Sequence, residues 1–188
     1  MGGQLAVNDR IGQIWFAPSG FRRGRIDGAY DVSIRTKQYN SENDILYSNN
    51  WNFFNVYQNE GIIVDGQKTM QTKNTSLNRL NVRRMVCWIK QEARKIANKY
   101  KYEPHIEGVK QWFSNDMRDM LNTVKQTDGI SDFVVVCDDT NNNLQNLENH
   151  ELFMKIGIKP IKAIEYIIVD LVVGNGQVTM DDNMVVRK

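Results

Sequence analysis

The strongest constraint on how this chain folds is the apolar pattern of residues 82–100. Val82, Met85, Val86, Ile89, Ala93, Ile96, Ala97 and Tyr100 recur at helical spacings. At about 100° per residue they fall within one stripe about 120° wide. A strand would alternate at every second residue, so the segment is read as a long helix that must bury one face, with Asn81 as its cap. A second helix is expected over 107–125, where Val109, Trp112, Phe113, Met120, Leu121 and Val124 share a broad face. Asp128-Gly129 ends it. The turn over 101–105, with Pro104, is short, so the spacing predicts an antiparallel helical hairpin over 81–126.

The flanking stretches differ in character. Residues 1–69 are irregular and turn-rich, with a strand-like run at 13–16 ended by Pro18-Ser19-Gly20 and an alternating run at 30–35. A short helix is expected at 42–47 behind an N-cap at Ser41, then strands at 53–57 and 61–64 separated by Asn59-Glu60. After the hairpin, strands are expected at 133–138, 152–158 and 164–173, the last long enough to be central. The polar loop from Asp138 through Asn143 has little apolar area to bury and is read as surface. The expected fold class is α+β, a two-layer sandwich of a mixed β-sheet with an antiparallel pair of long helices, making one core domain over 1–173. Residues 174–188 are read as an extended C-terminal arm. Behind the Gly174-Asn175-Gly176 hinge, Gln177, Val178, Thr179, Met180, Met184, Val185 and Val186 alternate only weakly. Such a segment pairs as a strand only where something else supplies an edge.

Composition narrows the function classes. With 24 Lys and Arg against 22 Asp and Glu, the net charge of +2 gives no bulk attraction to nucleic acid or membranes. The longest apolar stretch, 161–173, is broken by Lys162, Glu165 and Asp170 and is too short to span a bilayer. The chain starts without a basic region and apolar run, so a soluble product is expected. Cys87 and Cys137 lack CxxC spacing and are read as reduced, small core residues.

No catalytic, cofactor or metal site is expected. The segment GIIVDGQKT at 61–69 nearly spells a P-loop but has one residue too many, and Ile62-Ile63-Val64 is strand-like. A hairpin turn at Asp65-Gly66 is the ordinary reading. Cys87, His105, Cys137 and His150 lie on four separate elements without zinc spacing, and no Ser or Cys nucleophile stands in a recognisable relation to a His. The acidic loop lacks the Gly and distal Glu of a calcium loop.

Two basic features remain. Arg22, Arg23 and Arg25 follow the Pro18-Ser19-Gly20 turn beside Trp15, Phe16 and Phe21. They either grip a partner's anions or stack on the aromatics to cap a core edge. The first long helix carries Arg83, Arg84, Lys90, Arg94, Lys95 and Lys99 against Glu92 alone away from its apolar stripe. That bias fits an acidic partner or a merely solvated face. Trp88, off the stripe among Arg84 and Lys95, either covers another layer of the fold or anchors an interface. Arg84, Trp88, Lys90, Arg94 and Lys95 are the candidate contact residues.

Six segments in order carry a resemblance: WFAPSGFRRG at 15–24; DILY at 44–47 ahead of Asn52; the 61–69 segment with its GQKT; LNVRRM at 80–85; VVCD at 135–138 leading to TNN at 140–142; and IKP at 158–160 followed by IEYI at 164–167. Together they resemble contractile tail sheath proteins of large myoviruses. Shorter sheaths of type VI secretion systems and contractile bacteriocins are sister readings. The resemblance implies the inner part of a longer sheath subunit, lacking an N-terminal arm and outer domains, that polymerises around a tail tube and contracts for genome delivery. It turns the near P-loop into a structural hairpin. It also implies neighbouring sheath subunits, the tube protein, the baseplate and the tail terminator as partners, a place in the virion tail after assembly in the host bacterial cytoplasm, and exchange of the 177–188 arm. Alone, the chain is expected to be monomeric.

Overall fold

A computed structural model describes residues 2–33, 41–138 and 140–165. Its centre is the anticipated helical hairpin, α3 (Leu80–Lys99) and α4 (Glu107–Gln126). The elements before it are α1 (Gly2–Ile11), β1 (Arg25–Ile26), α2 (Ser41–Ser48), β2 (Phe53–Tyr57) and β3 (Gly61–Asp65). After it come β4 (Ile130–Val136), α5 (Leu144–Glu148) and β5 (Lys155–Pro160).

The hairpin forms because each helix has an apolar stripe that only the other elements can cover. Val82, Met85 and Ile89 of α3 meet Phe113, Met117, Leu121 and Val124 of α4 in one core, which Trp15, Ile130 and Val135 complete. Each fully buried side chain of this size contributes about 1.5–3 kcal/mol relative to exposure. At the closed end of the hairpin the Tyr100 ring packs at a tilt on Phe113, ring centroids 5.2 Å apart, and its hydroxyl donates to Asp116 at 3.0 Å. At the other end α4 turns into β4 through Asp128, at φ 60°, and Gly129, whose N–H donates to the Val124 carbonyl at 2.9 Å. A Cβ at Gly129 would stand 2.6 Å from Val124 Cγ1, so the turn closes only over a glycine.

Two small antiparallel sheets flank the helices. In the first, of order β1-β3-β2, Ile62, Ile63 and Val64 of the central strand are all buried, an unbroken apolar run suited to a strand covered on both faces. The second pairs β4 with β5, Val134 opposite Gly157, and is irregular between Ile130 and Asp132. Two sheets, both antiparallel among the described residues, stand where one mixed sheet was expected.

Several local readings change. Residues 13–16 form a turn, because Trp15 is pulled into the core and its Nε1 donates to the Thr127 carbonyl at 2.8 Å. Residues 30–33 join no strand, and 34–35 lie outside the described residues. Residues 2–11, read as irregular, are helical although the buried side chains there are polar, Gln4 and Asn8. Arg79 is the N-cap of α3. Asn81 instead lies buried in the first turn and donates to the Trp15 carbonyl at 3.2 Å. The β2–β3 hairpin turns at residues 58–60, so Asp65 ends β3 and Gly66 follows it without forming a hairpin turn. Trp112 is 62% exposed and Met117 takes its place on the buried face of α4. Cys87 is exposed, whereas Cys137 is half-buried beside Ser114 and burial pushes its thiol pKa up. The 138–149 loop holds α5 and is ordered by Asn142, which is 6% exposed. Its side chain donates to the Asp138 and Phe153 carbonyls at 3.1 and 2.9 Å and accepts from the Phe153 N–H at 2.6 Å. Of the expected 164–173 strand, Ile164 and Glu165 are irregular, and 166–173 and the 174–188 arm lie outside the described residues.

Candidate functional site

The candidate contact residues lie along α3. The five candidates on α3 do not form one face. Arg84 turns inward, its side chain only 16% exposed, and pairs at 2.6 Å with Asp9 of α1. Trp88 packs against the core and meets the Trp15 ring edge-on at 5.3 Å, so it covers another layer of the fold. Lys95 pairs with Glu92 at 2.7 Å. Lys90 and Arg94 remain exposed. Arg83 joins them: at about 100° per residue Arg83, Lys90 and Arg94 lie within about 40° of one another, with the exposed Cys87 at one edge of the group. Plotting the cations on a helical wheel would have found Arg83. No sequence spacing reveals that Arg84 is taken by an acid 75 positions away.

The cluster after the Pro18-Ser19-Gly20 turn also divides. The Arg23 guanidinium lies over the Phe16 ring at 4.7 Å and donates to the Ala17 carbonyl at 3.1 Å, while its own carbonyl accepts from Gln4. It caps a core edge. Arg22 is exposed, and Arg25, on β1, pairs at 3.5 Å with Asp27.

The near P-loop has a structural task. Gly66 adopts φ 106°, where Asn52 and Tyr47 leave no room for a Cβ, and so delivers Gln67 and Lys68 inward. Asn52 brackets the Lys68 backbone, accepting from its N–H at 2.7 Å and donating to its carbonyl at 2.8 Å. The Lys68 ammonium then sits 4.0 Å over the Tyr47 ring. Next to Tyr47 lies Glu165, its side chain 18% exposed, gripped by Arg79 through Nε at 2.5 Å and Nη2 at 2.7 Å. Gln67 donates to it at 3.3 Å, and Tyr47 is a further hydrogen-bond partner. Burial alone would raise this carboxyl's pKa, but hydrogen bonds from Arg79, Tyr47 and Gln67, with the Arg79 charge, hold it below its ordinary value of 4.5.

A pH dependence follows. A folded-state pKa below the unfolded one means the native state binds fewer protons, so the network's stabilisation is complete above the ordinary carboxyl range and is lost as pH falls through the lower folded value. Asp132 and Asp138, also held low, are each exposed and titrate in both proteins. Thermal melts of wild type and Glu165→Gln from neutral pH downward should therefore converge on acidification. Melting points that stay equally far apart at all pH values would sink this assignment.

Among the described residues no helix is long and apolar enough to cross a membrane, and no group of three or more His, Cys, Asp or Glu could hold a metal ion. The geometry offers a helix with outward cations and a clamp on Glu165. Residues 72–174 match the Phage tail sheath C-terminal domain family, and the chain belongs to it. Over 170 residues it is 29% identical to the tail sheath protein of Vibrio phage KVP40 and 28% identical to that of Enterobacteria phage T4. Each alignment covers 90% of this chain but only 25% and 26% of the relative, so the chain spans about a quarter of their length. In fold, 92% of the chain matches 48% of a chain in the anti-feeding prophage baseplate, with a TM-score of 0.82 and 16% identity. A contracted sheath complex of an extracellular contractile injection system matches at a TM-score of 0.79 and 16% identity, over 90% of this chain and 49% of that one.

Proposed function

We propose that this chain is the inner part of a contractile tail sheath subunit, which polymerises with its own copies around a tail tube and contracts to drive the tube through the host envelope. The observation that carries the reading is membership of the sheath C-terminal family over residues 72–174. The subunit catalyses nothing. Its core, 1–173, is a two-layer α+β unit, and 174–188 is an arm that adds a strand to a neighbouring subunit. Head-to-tail contacts of this kind close into rings or a helix, and a metastable extended lattice relaxing to one with more buried interface supplies the work. The tube, baseplate and tail terminator are its other partners, no nucleic acid is bound, and the particle is a virion tail assembled in the bacterial cytoplasm. The fold match to an injection-system sheath supports a second reading, a secretion or bacteriocin-type particle. The higher identity to phage proteins favours the first.

Arg83, Lys90 and Arg94 provide the tube contact. Exposed ion pairs worth about 0–1 kcal/mol each can hold and then slip. Electron microscopy of the complete gene product should show striated hollow polymers; persistent monomers would overturn the sheath reading. Reversing Arg83, Lys90 and Arg94 to Glu should leave the melting point within about 2 °C, since exposed substitutions change stability little, yet abolish co-assembly on tubes. In the unaltered protein the Cys87 thiol should lose reactivity toward maleimide once the tube is bound. Normal co-assembly of the triple variant would eliminate this face.

A further inference from the structure

We propose that Trp112 and the acids beside it on α4 dock onto the outer face of the β4–β5 sheet of a second copy of this chain, a head-to-tail contact between subunits. This rests on the sheath reading above and names two surfaces through which copies meet.

The first surface is one side of α4, where Trp112 is 62% exposed. At about 100° per residue Asp116 and Asp119 fall within about 40° of it, and no Lys or Arg of α4 comes within about 100°. Asp116, its side chain 42% exposed, takes the Tyr100 hydroxyl at 3.0 Å and stands 4.0 Å from Lys99 of α3. Asp119 is exposed. An exposed indole beside two acids, with one cation nearby, is an anchor with a negative rim.

The second surface complements it. In the β4–β5 pairing Asp132 lies opposite Lys159, Val134 opposite Gly157, and Val136 opposite Lys155. These share one face, because side chains alternate along a strand. The other face, with Phe133, Val135, Ile156 and Ile158, packs on the helical core. On the outer face Lys155, Gly157 and Lys159 are exposed, and Val134 is 57% exposed. Val134 leans toward Gly157, where a Cβ would stand 2.8 Å from its Cγ1, so the middle of the face is a low apolar platform. Lys155 and Lys159, four residues apart on one strand, frame it at about 13 Å from each other. Asp132 is paired at 3.4 Å with Lys125, which leaves the frame positive.

The two surfaces match in polarity and scale. Along α4, Asp116 and Asp119 lie about 6 and 10 Å from Trp112; along β5, each lysine lies about 7 Å from Gly157. With the indole over Val134 and Gly157, an acid of α4 reaches the lysine frame. One chain cannot make this contact with itself, since its sheet turns the inner face to the helices and the outer face away from α4. A patch that meets a different patch on its neighbour propagates from copy to copy, as a ring or helix requires.

The test measures, by sedimentation and electron microscopy of the complete gene product, the concentration at which polymers appear. Three variants are compared with wild type: Trp112→Ala, Asp119→Lys, and the double reversal Lys155→Glu with Lys159→Glu. All four positions are exposed, so melting points should stay within about 2 °C of wild type. Each variant should raise the threshold concentration at least about tenfold. Joining Asp119→Lys to the double lysine reversal should bring the threshold back below that of either, because opposite charges face each other again; independent effects would multiply instead. A wild-type threshold in any of the three variants, or no recovery in the combination, would overturn this contact and leave the sheath reading standing. A wild-type protein that forms no polymers at all would overturn both.

Discussion

Trp15→Ala should cost about 3–5 kcal/mol of folding stability, the range for deleting a buried aromatic, and lower the melting point by roughly 10 °C. Trp15 is 6% exposed, its ring meets Trp88, and its indole N–H bonds the Thr127 carbonyl 112 residues away. Its backbone carbonyl accepts from the buried Asn81. The substitution thus opens a cavity between α3 and the α4–β4 turn and leaves the Thr127 carbonyl without its indole donor. Trp15→Phe separates the two contributions, since it retains most of the area and should lose about 1 kcal/mol for the hydrogen bond. Urea titrations of both variants check this. A midpoint for Trp15→Ala indistinguishable from wild type would mean that Trp15 is not part of the core.

Gly24→Ala is expected to be nearly as damaging, for a backbone reason. The Gly24 N–H donates to the Gly20 carbonyl at 2.7 Å, and the Gly24 carbonyl accepts from Val64 at 2.8 Å, which hooks the 20–24 turn onto the buried strand β3. An added Cβ would stand 2.7 Å from the Gly20 nitrogen and 2.8 Å from its oxygen. Those atoms are main chain and cannot swing aside, so the hook must open. Forced overpacking costs about 1–3 kcal/mol and occasionally more; with the two hydrogen bonds strained, the upper end is expected. Gly108→Ala is the control, because its Cβ meets nothing within 4 Å and, like Gly24, it has no positive φ. A Gly24→Ala loss no larger than that of Gly108→Ala would show that the close approach does not govern Gly24.

The elements legible from the residues were those whose local pattern agrees with their tertiary role. The α3 stripe repeats with the helix period, and the β2 and β3 runs are β-branched or aromatic between turn residues, so each announces itself within a few positions. Helix α1 escaped because it has no apolar face: Gln4, Asn8 and Asp9 attach it through polar contacts to Arg23, Phe16 and Arg84. Helix α5 escaped because its sequence is mostly polar and its organiser, Asn142, reads as an ordinary loop residue. The Glu165 clamp is the extreme case. Its partners lie 86 and 98 positions away, and a salt bridge of that separation leaves no spacing signature. The charge bias of α3 was visible, but which cations stay free depends on acids such as Asp9 that only the fold brings near.

The turn between α4 and β4 is held from two directions: Trp15 reaches the carbonyl of Thr127, and Ile161 reaches the carbonyl of Gly129. Tension applied at residues 15 and 161 would pass across three residues of turn, in parallel with the contacts that tie the start of α3 to the same segment, Asn81 to the Trp15 carbonyl and Arg84 to Asp9. Force entering at residue 15 therefore loads this seam and the first turns of α3, ahead of the stretch that carries Lys90 and Arg94.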